Sequence, residues 1–161
     1  YQYFIDHQFI FKTFSASSKE IDEQGVAVCI YSLINQAMKH FSGHFDFCLI
    51  DGNPVKQIEH RSEYFSSEFQ RATLNPNGEK CSRDNVRFVV KGDRQCFSVA
   101  SASICAKVVR DEFMEKLDQK FPHYGFSRHK GYGTKQHLDA IAHFGPCPHH
   151  RLSFKPKNKN N

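Results

Sequence analysis

No stretch of this chain reaches the roughly 18 consecutive apolar residues that a membrane-spanning helix needs, so no such helix is expected. The opening Tyr1-Gln2-Tyr3-Phe4-Ile5-Asp6 has neither the pattern of a signal peptide nor an initiator Met, and it is expected to lie inside a longer protein. Among six cysteines there is no C-x-x-C pair. Cys147-Pro148-His149-His150 resembles half of a zinc site, but no second pair at ligand spacing completes it. Several cysteines fall in apolar runs, where a free thiol packs as a small hydrophobe. They read as reduced thiols of a cytoplasmic protein. No internal repeat is present.

The 161 residues fit one domain, and 39% apolar composition supplies one core. Residues 1–156 read as that domain and 157–161 as a disordered end of the low-complexity tail Lys155–Asn161. Charge is unevenly spread. Residues 1–85 hold 8 Lys/Arg against 11 Asp/Glu, and residues 86–161 hold 14 against 6. A basic half beside a mildly acidic one fits a polyanionic partner, or simply a solvated surface with a basic tail.

Phe4 to Phe14 is aromatic and β-branched and reads as a strand. Ser17 or Ser18 can cap a helix that Val26, Ile30, Leu33, Ile34, Ala37 and Phe41 continue at helical spacing, until Ser42-Gly43. Phe45 to Ile50 is a short apolar run between Gly43 and Gly52, the pattern of a strand buried on both faces. Residues 55–85 are polar and turn-rich and read as a long, exposed, partly mobile connection. Val86 to Val90 reads as another strand, stopped by Lys91-Gly92-Asp93. Ser98 to Phe121 is helical, with Ile104, Val108, Val109, Phe113, Leu117 and Phe121 as its apolar stripe, and Pro122 ends it. A glycine-punctuated loop, Tyr124 to Gly133, leads to Thr134, an N-cap for a short helix over 135–143 that Gly145 and Pro146 close. Strands alternating with helices argue for a layered α/β fold.

Four features can carry chemistry. Asp51 follows a buried strand, at the edge where open α/β sheets bind ligands, or it belongs to an ordinary Asp-Gly turn. Asp111 lies about 20° from Ile104 and about 60° from Val108 around the helix axis, on the shoulder of the stripe. Lys107 precedes it by one turn, so a surface ion pair is the alternative. In His129-Lys130-Gly131-Tyr132-Gly133-Thr134, glycines permit close approach and Tyr132 can stack on a sugar or base, unless it is the buried ring of a structural turn. His149-His150-Arg151-Leu152-Ser153-Phe154-Lys155-Pro156 is basic and aromatic, a phosphate-contacting surface or a solvated tail.

Taken together these segments resemble ribonuclease HII. The matching run is nearly continuous from Val86 to Pro156. It carries K-G-D after a strand, A-S-x-x-A-K-V-x-R-D on a helix, Y-G-F, H-K-G-Y-G-T and H-R-x-S-F. Upstream, Leu49-Ile50-Asp51-Gly52-Asn53 is similar to the family's L-I-D-G-N, and the Ser17–His40 region, with Glu20-Ile21-Asp22, to its E-I-D helix. Several ordered motifs over this length are specific in a way that one short pattern is not.

The resemblance implies an RNase H-like fold, a mixed sheet flanked by helices with a small helical C-terminal part. It implies an endonuclease that hydrolyses the phosphodiester 5′ to a ribonucleotide, in RNA–DNA hybrids or at single ribonucleotides in duplex DNA. Two-metal catalysis with Mn²⁺ or Mg²⁺ is implied as well. Asp51 and Asp111 are carried over as catalytic, metal-binding carboxylates, Tyr132 as the tyrosine meeting the sugar, and Lys130 and Arg151 as phosphate-side residues. A monomer is expected. The family's D-E-x-G-R-G strand and its D-S-K segment have no match here, so the chain is expected to begin at the fold's third strand. The competing expectation is a nucleic-acid-binding remnant without catalysis. An unrelated α/β domain is a third reading.

Overall fold

A computed structural model describes residues 1–53 and 86–154. The connection expected over 55–85 and the tail Lys155–Asn161 lie outside these residues. In chain order the elements are α1 (Gln2–Asp6), α2 (Ser18–Gln24), α3 (Val26–His40), β1 (Cys48–Asp51), β2 (Val86–Val89), α4 (Phe97–Lys120), α5 (Phe126–His129) and α6 (Lys135–Phe144), with 3-10 turns at Gly92–Arg94 and Pro122–Tyr124. The architecture is α/β, as the sequence predicts.

The predicted strand over Phe4–Phe14 is not formed. Its first residues make the single helical turn α1, and the remainder is irregular. The reason is local. Gln2 donates to the Asp6 carboxylate at 2.8 Å and the Tyr3 and His7 rings stack at 4.0 Å, both one helical turn apart. Phe9 then folds back edge-on to Phe4, with centroids 5.4 Å apart. Aromatic content marks apolar contact here, without the alternation of a pleated strand.

Ser17 caps α2 as predicted. Its side chain accepts from the Glu20 N–H at 3.2 Å, and the Glu20 carboxylate accepts from the Ser17 N–H at 2.7 Å. These two orphan backbone donors are satisfied reciprocally, a capping box. The expected single helix from Ser17 to Phe41 is broken at Gly25, whose φ of +86° has no place in a right-handed helix. Two helices that pack on each other result.

β1 and β2 pair in parallel, with Cys48 opposite Val86 and Asp51 opposite Val89, and the Gly52 N–H adds one bond to the Val89 carbonyl at 2.9 Å. The strand expected over Phe45–Ile50 is shorter than predicted and only half-buried, ending on an exposed Asp51. Among the described residues β2 flanks it on one edge, and the turn after β2 and α4 contact it. The chain leaves β2 through Lys91 in a left-handed conformation and enters the Gly92–Arg94 turn. Gly92 is buried there. A Cβ on it would lie 3.2 Å from Val99 Cγ1 and 3.3 Å from Val89 Cβ.

α4 is the longest element, and its predicted stripe is corrected. Val99, Cys105, Met114 and Leu117 are buried, whereas Ile104 and Phe113 are 48% and 49% exposed. Val99, Met114 and Leu117 fall within about 60° around the axis, but Cys105 lies about 120° from Val99. The helix therefore buries different faces at different levels, which no single stripe describes. At its C-terminal end Met114 and Leu117 join Tyr124, Phe126, Ala140 and Cys147 in the core of the helical C-terminal part. The Tyr124 hydroxyl donates to the Gly145 carbonyl at 2.7 Å and closes that unit. Cys29, Cys96, Cys105 and Cys147 carry free thiols.

Gly92→Ala places a methyl group against two packed side chains and is expected to lower stability by about 1–3 kcal/mol. Gly133→Ala, with nothing within 4 Å of its new Cβ, is expected to change it by less than about 0.5 kcal/mol. Urea unfolding of the two variants checks the contrast.

Candidate nucleic-acid and metal site

The carboxyl ends of two adjacent parallel strands present acid. Asp51 ends β1, and its Oδ1 accepts from the Gly92 N–H at 2.8 Å. Asp93 is the next residue, exposed on the 3-10 turn that follows β2. The bond from the Gly92 N–H to the Asp51 carboxylate thus ties the Asp93 turn to the end of β1. This is the edge at which open α/β sheets bind ligands. Asp93 did not enter the list of site residues predicted from sequence, although the K-G-D string containing it was recognised. The available signal was its position in the first turn after the second strand, four residues beyond Val89, the register partner of Asp51.

Asp111 is placed differently. It lies on α4 twelve residues beyond Val99, the residue packed at Gly92, and therefore about 18 Å further along the helix axis. No contact joins it to Asp51 among the described residues. The predicted ion pair is present instead, with Lys107 Nζ 2.7 Å from Asp111 Oδ2. That hydrogen bond, more than the surrounding positive charges of Lys107, Lys130 and Arg110, holds the Asp111 carboxyl below its ordinary range, and the same bond raises Lys107.

Asp111 thus has the H-K-G-Y-G-T loop as its neighbour. Arg110 Nη2 donates to the Lys130 carbonyl at 3.1 Å, and Lys130 Nζ pairs with Glu115 at 2.8 Å. Lys130 and Gly131 both have positive φ, 49° and 83°. At Gly131 a Cβ would meet Met114 Cε at 3.2 Å, so the loop lies hard against α4. Tyr132 is 72% exposed, which removes the reading of a buried turn tyrosine and leaves its ring free to stack. Sequence reasoning placed Lys130 and Tyr132 on one loop, and the structure brings Lys107, Arg110 and Asp111 beside them.

Arg151 is exposed and sits elsewhere, on the segment that crosses α2. Asp22 receives the N–H groups of Leu152 and Ser153 at 2.7 and 3.0 Å and the Ser153 hydroxyl as well. These bonds, those to Ser153 foremost, hold Asp22 below its ordinary range, and Arg151 adds a smaller electrostatic effect. Ser18 Oγ donates to the Pro148 carbonyl at 2.9 Å. The E-I-D helix and the H-R-x-S-F segment are therefore two halves of one structural clasp.

Among the described residues no three His, Cys, Asp or Glu side chains converge as a metal cage. His150, in the half zinc pattern, is engaged elsewhere, accepting from the Cys147 N–H at 2.9 Å. No helix among the described residues is long and apolar enough to cross a membrane.

A family model described as Ribonuclease HII matches residues 4–157. The chain is 39% identical over 142 residues to a curated Ribonuclease HII of Cereibacter sphaeroides, covering 88% of this chain and 56% of that protein. It is 57% identical over 70 residues to Ribonuclease HII of Roseiflexus castenholzii, 44% of this chain and 31% of that one. Over 68 residues it is 57% identical to the Chlamydia trachomatis serovar L2 protein of the same name, 42% and 31% of the two chains. The chain spans about half the length of the first of these relatives, and less of the others.

Removing the ammonium with Lys107→Met is expected to raise the titration midpoint of the Asp111 carboxyl toward its ordinary value of 3.8. Carboxyl carbon shifts followed by NMR against pH check this, and an unchanged midpoint would refute the ion pair as the cause.

Proposed function

The chain belongs to the ribonuclease HII family, and from that premise we propose that it is ribonuclease H polypeptide acting on RNA–DNA hybrids and on ribonucleotides embedded in duplex DNA. The observation that carries the reading is the pairing of two surfaces. One is the acidic sheet edge of Asp51 and Asp93, and the other is the basic loop bearing Tyr132, with Lys107, Arg110 and Lys130 around it. Cleavage of a phosphodiester needs charge neutralised at the phosphate and a nucleophile held in line.

Asp51 and Asp93 offer the hard oxygen donors that Mg²⁺ and Mn²⁺ take. A bound divalent ion would supply an activated water and stabilise the leaving oxygen. Donors for two such ions must converge on centres about 4 Å apart. The Gly92 N–H on Asp51 Oδ1 ties the Asp93 turn to the end of β1, whereas Asp111 lies further along α4, and this supports Asp93 as the partner of Asp51. Two carboxylates leave the shells of two ions incomplete, and the family's D-E-x-G-R-G strand is the expected source of the rest. Asp111, beside Tyr132 and paired with Lys107, fits the substrate side, where it orders cations that meet phosphates. Tyr132 would stack on the sugar or base, and Lys130 and Arg151 would contact phosphates. The non-catalytic nucleic-acid-binding reading rests on the same basic loop, without the acidic edge.

The test uses the chain alone, and joined to a D-E-x-G-R-G strand, with Mn²⁺ and a labelled DNA duplex carrying one ribonucleotide. A single cut 5′ to the ribonucleotide is expected from the joined form, lost in Asp51→Asn and Asp93→Asn and weakened less in Asp111→Asn. Tyr132→Ala is expected to cost about 1–3 kcal/mol of duplex binding, the contribution of one stacked base. Binding that weakens with salt, with no cut from either form, would favour the non-catalytic reading. Loss in Asp111→Asn equal to that in Asp51→Asn would restore Asp111 as the second metal carboxylate.

A further inference from the structure

Three imidazoles meet beneath the Tyr132 loop. The His129 and His137 rings stack with centroids 4.1 Å apart and an interplanar angle of 19°, and His150 follows at 5.2 Å from His137. His129 and His137 are buried. Their backbone partners fix every ring proton, because an amide N–H only donates and a carbonyl only accepts. The Gly131 N–H points at His129 Nδ1, 3.2 Å away, so that nitrogen is bare and Nε2–H donates to the Tyr124 carbonyl at 2.8 Å. The Tyr132 carbonyl lies 3.0 Å from His137 Nδ1, which must carry the proton and leave Nε2 bare. The Cys147 N–H occupies His150 Nδ1 at 2.9 Å, so His150 Nε2–H donates to His137 Nε2 at 3.0 Å. One set of neutral tautomers satisfies all five bonds.

We propose that His137 and His150 are positioning residues for Tyr132, a neutral imidazole relay that holds the loop in its duplex-binding shape and releases it on protonation. The proposal rests on the ribonuclease reading for what Tyr132 binds. Main-chain groups on both sides of the Tyr132 Cα are held by imidazole, Gly131 N–H by His129 and Tyr132 C=O by His137. A proton added to His137 Nε2 would face the His150 Nε2–H, and one added to His150 Nδ1 would face the Cys147 N–H. Each sets donor against donor.

The groups around the relay offer little to offset that charge. From the core the rings meet Tyr124 and Phe126, Cys147 meets His150 through its N–H, and His149 adjoins in sequence. On α6 the neighbouring charges, Lys135 and Asp139, are exposed and paired with each other at 2.6 Å. On α5 Arg128 is exposed. From α2, Lys19, Asp22 and Glu23 line a cleft of about 350 Å³ with His150. Asp22 is already committed to Leu152 and Ser153. Burial accordingly pushes His137 and His150 below the ordinary imidazole value of 6.5, and the neighbouring imidazoles push the same way. With folded values depressed, the unfolded chain takes up protons first. The stability these groups contribute is complete above 6.5 and falls as pH drops below it.

The test follows the ¹⁵N-labelled chain from about pH 7.5 to about pH 5, the range in which imidazoles titrate. Long-range ¹H–¹⁵N spectra read the tautomers, and the Gly131, Tyr132 and Gly133 amides read the loop. Expected are Nε2–H at His129 and His150, Nδ1–H at His137, and a shared shift of the loop amides with a midpoint below 6.5. His137→Phe, which keeps ring packing, should displace those amides at all pH. His137→Asn, which keeps an N–H near the Nδ1 position, should retain them. Affinity for the ribonucleotide-bearing duplex should fall about tenfold on acidification, opposite to the gain that added positive charge alone gives. Other tautomers at neutral pH, or loop amides unmoved both by acid and by His137→Phe, would overturn the relay. If the wild-type chain binds no duplex at any pH, the ribonuclease reading fails, and the amide titration alone still decides whether the relay sets the loop.

Discussion

The close packing at Gly92 is the constraint on which the acidic edge depends. Three things meet at one residue without a side chain: the Asp51 carboxylate on its N–H, and the side chains of Val89 and Val99 against its Cα. The hydrogen bond from a backbone amide to a carboxylate is charge-assisted and stronger than a neutral one. It orients Asp51 and at the same time fixes the turn that carries Asp93. The contact with Val99 then sets where α4 starts, and the helix carries that placement to the Tyr132 loop packed at Arg110 and Met114. Strand ends, helix and loop are thus one continuous mechanical path.

The second path runs through polar groups. The clasp between Asp22 and the Leu152–Ser153 backbone holds the C-terminal segment on α2, and that segment presents His150 to His137. Charge separation along the chain takes on a structural meaning here. The acidic first half supplies the anchor in Asp22, while cations of the basic second half gather beside the loop. Two carboxylates of the second half order those cations, Asp111 with Lys107 and Glu115 with Lys130.

Much of this was legible in residues whose local physics is strong. The Ser17 cap with Glu20, the Thr134 cap, the stop at Pro122 and the Val86–Val89 strand stand where side-chain chemistry predicts them. Local reasoning failed where partners far away in sequence decide. The aromatic N-terminal segment closes on itself instead of pleating. Gly25 lies within the span expected as one helix, where a glycine of ordinary φ costs only about 1 kcal/mol, but its φ of +86° makes it a break. The stripe on α4 was drawn from large apolar residues, yet tertiary packing selects Val99, Cys105 and Met114 and leaves Phe113 half in solvent.

The site shows the same division. The sequence places Tyr132 and Lys130 on one glycine-punctuated loop and Asp51 at the end of an apolar strand, and the structure has both arrangements. Asp93 was passed over in favour of Asp111, which sits on a helix face where periodicity makes any residue easy to place. Periodicity reports which way a side chain faces around an axis and says nothing about height along it. A sheet edge works in the other way. In parallel strands every carboxyl end lies on one side, so the end of β1 at Asp51 and the turn that follows β2 meet at one edge whatever the sequence distance between them. Strand-end position therefore groups the Asp93 turn with Asp51, as the Gly92 hydrogen bond shows, whereas Asp111 pairs with Lys107 beside the Lys130 loop.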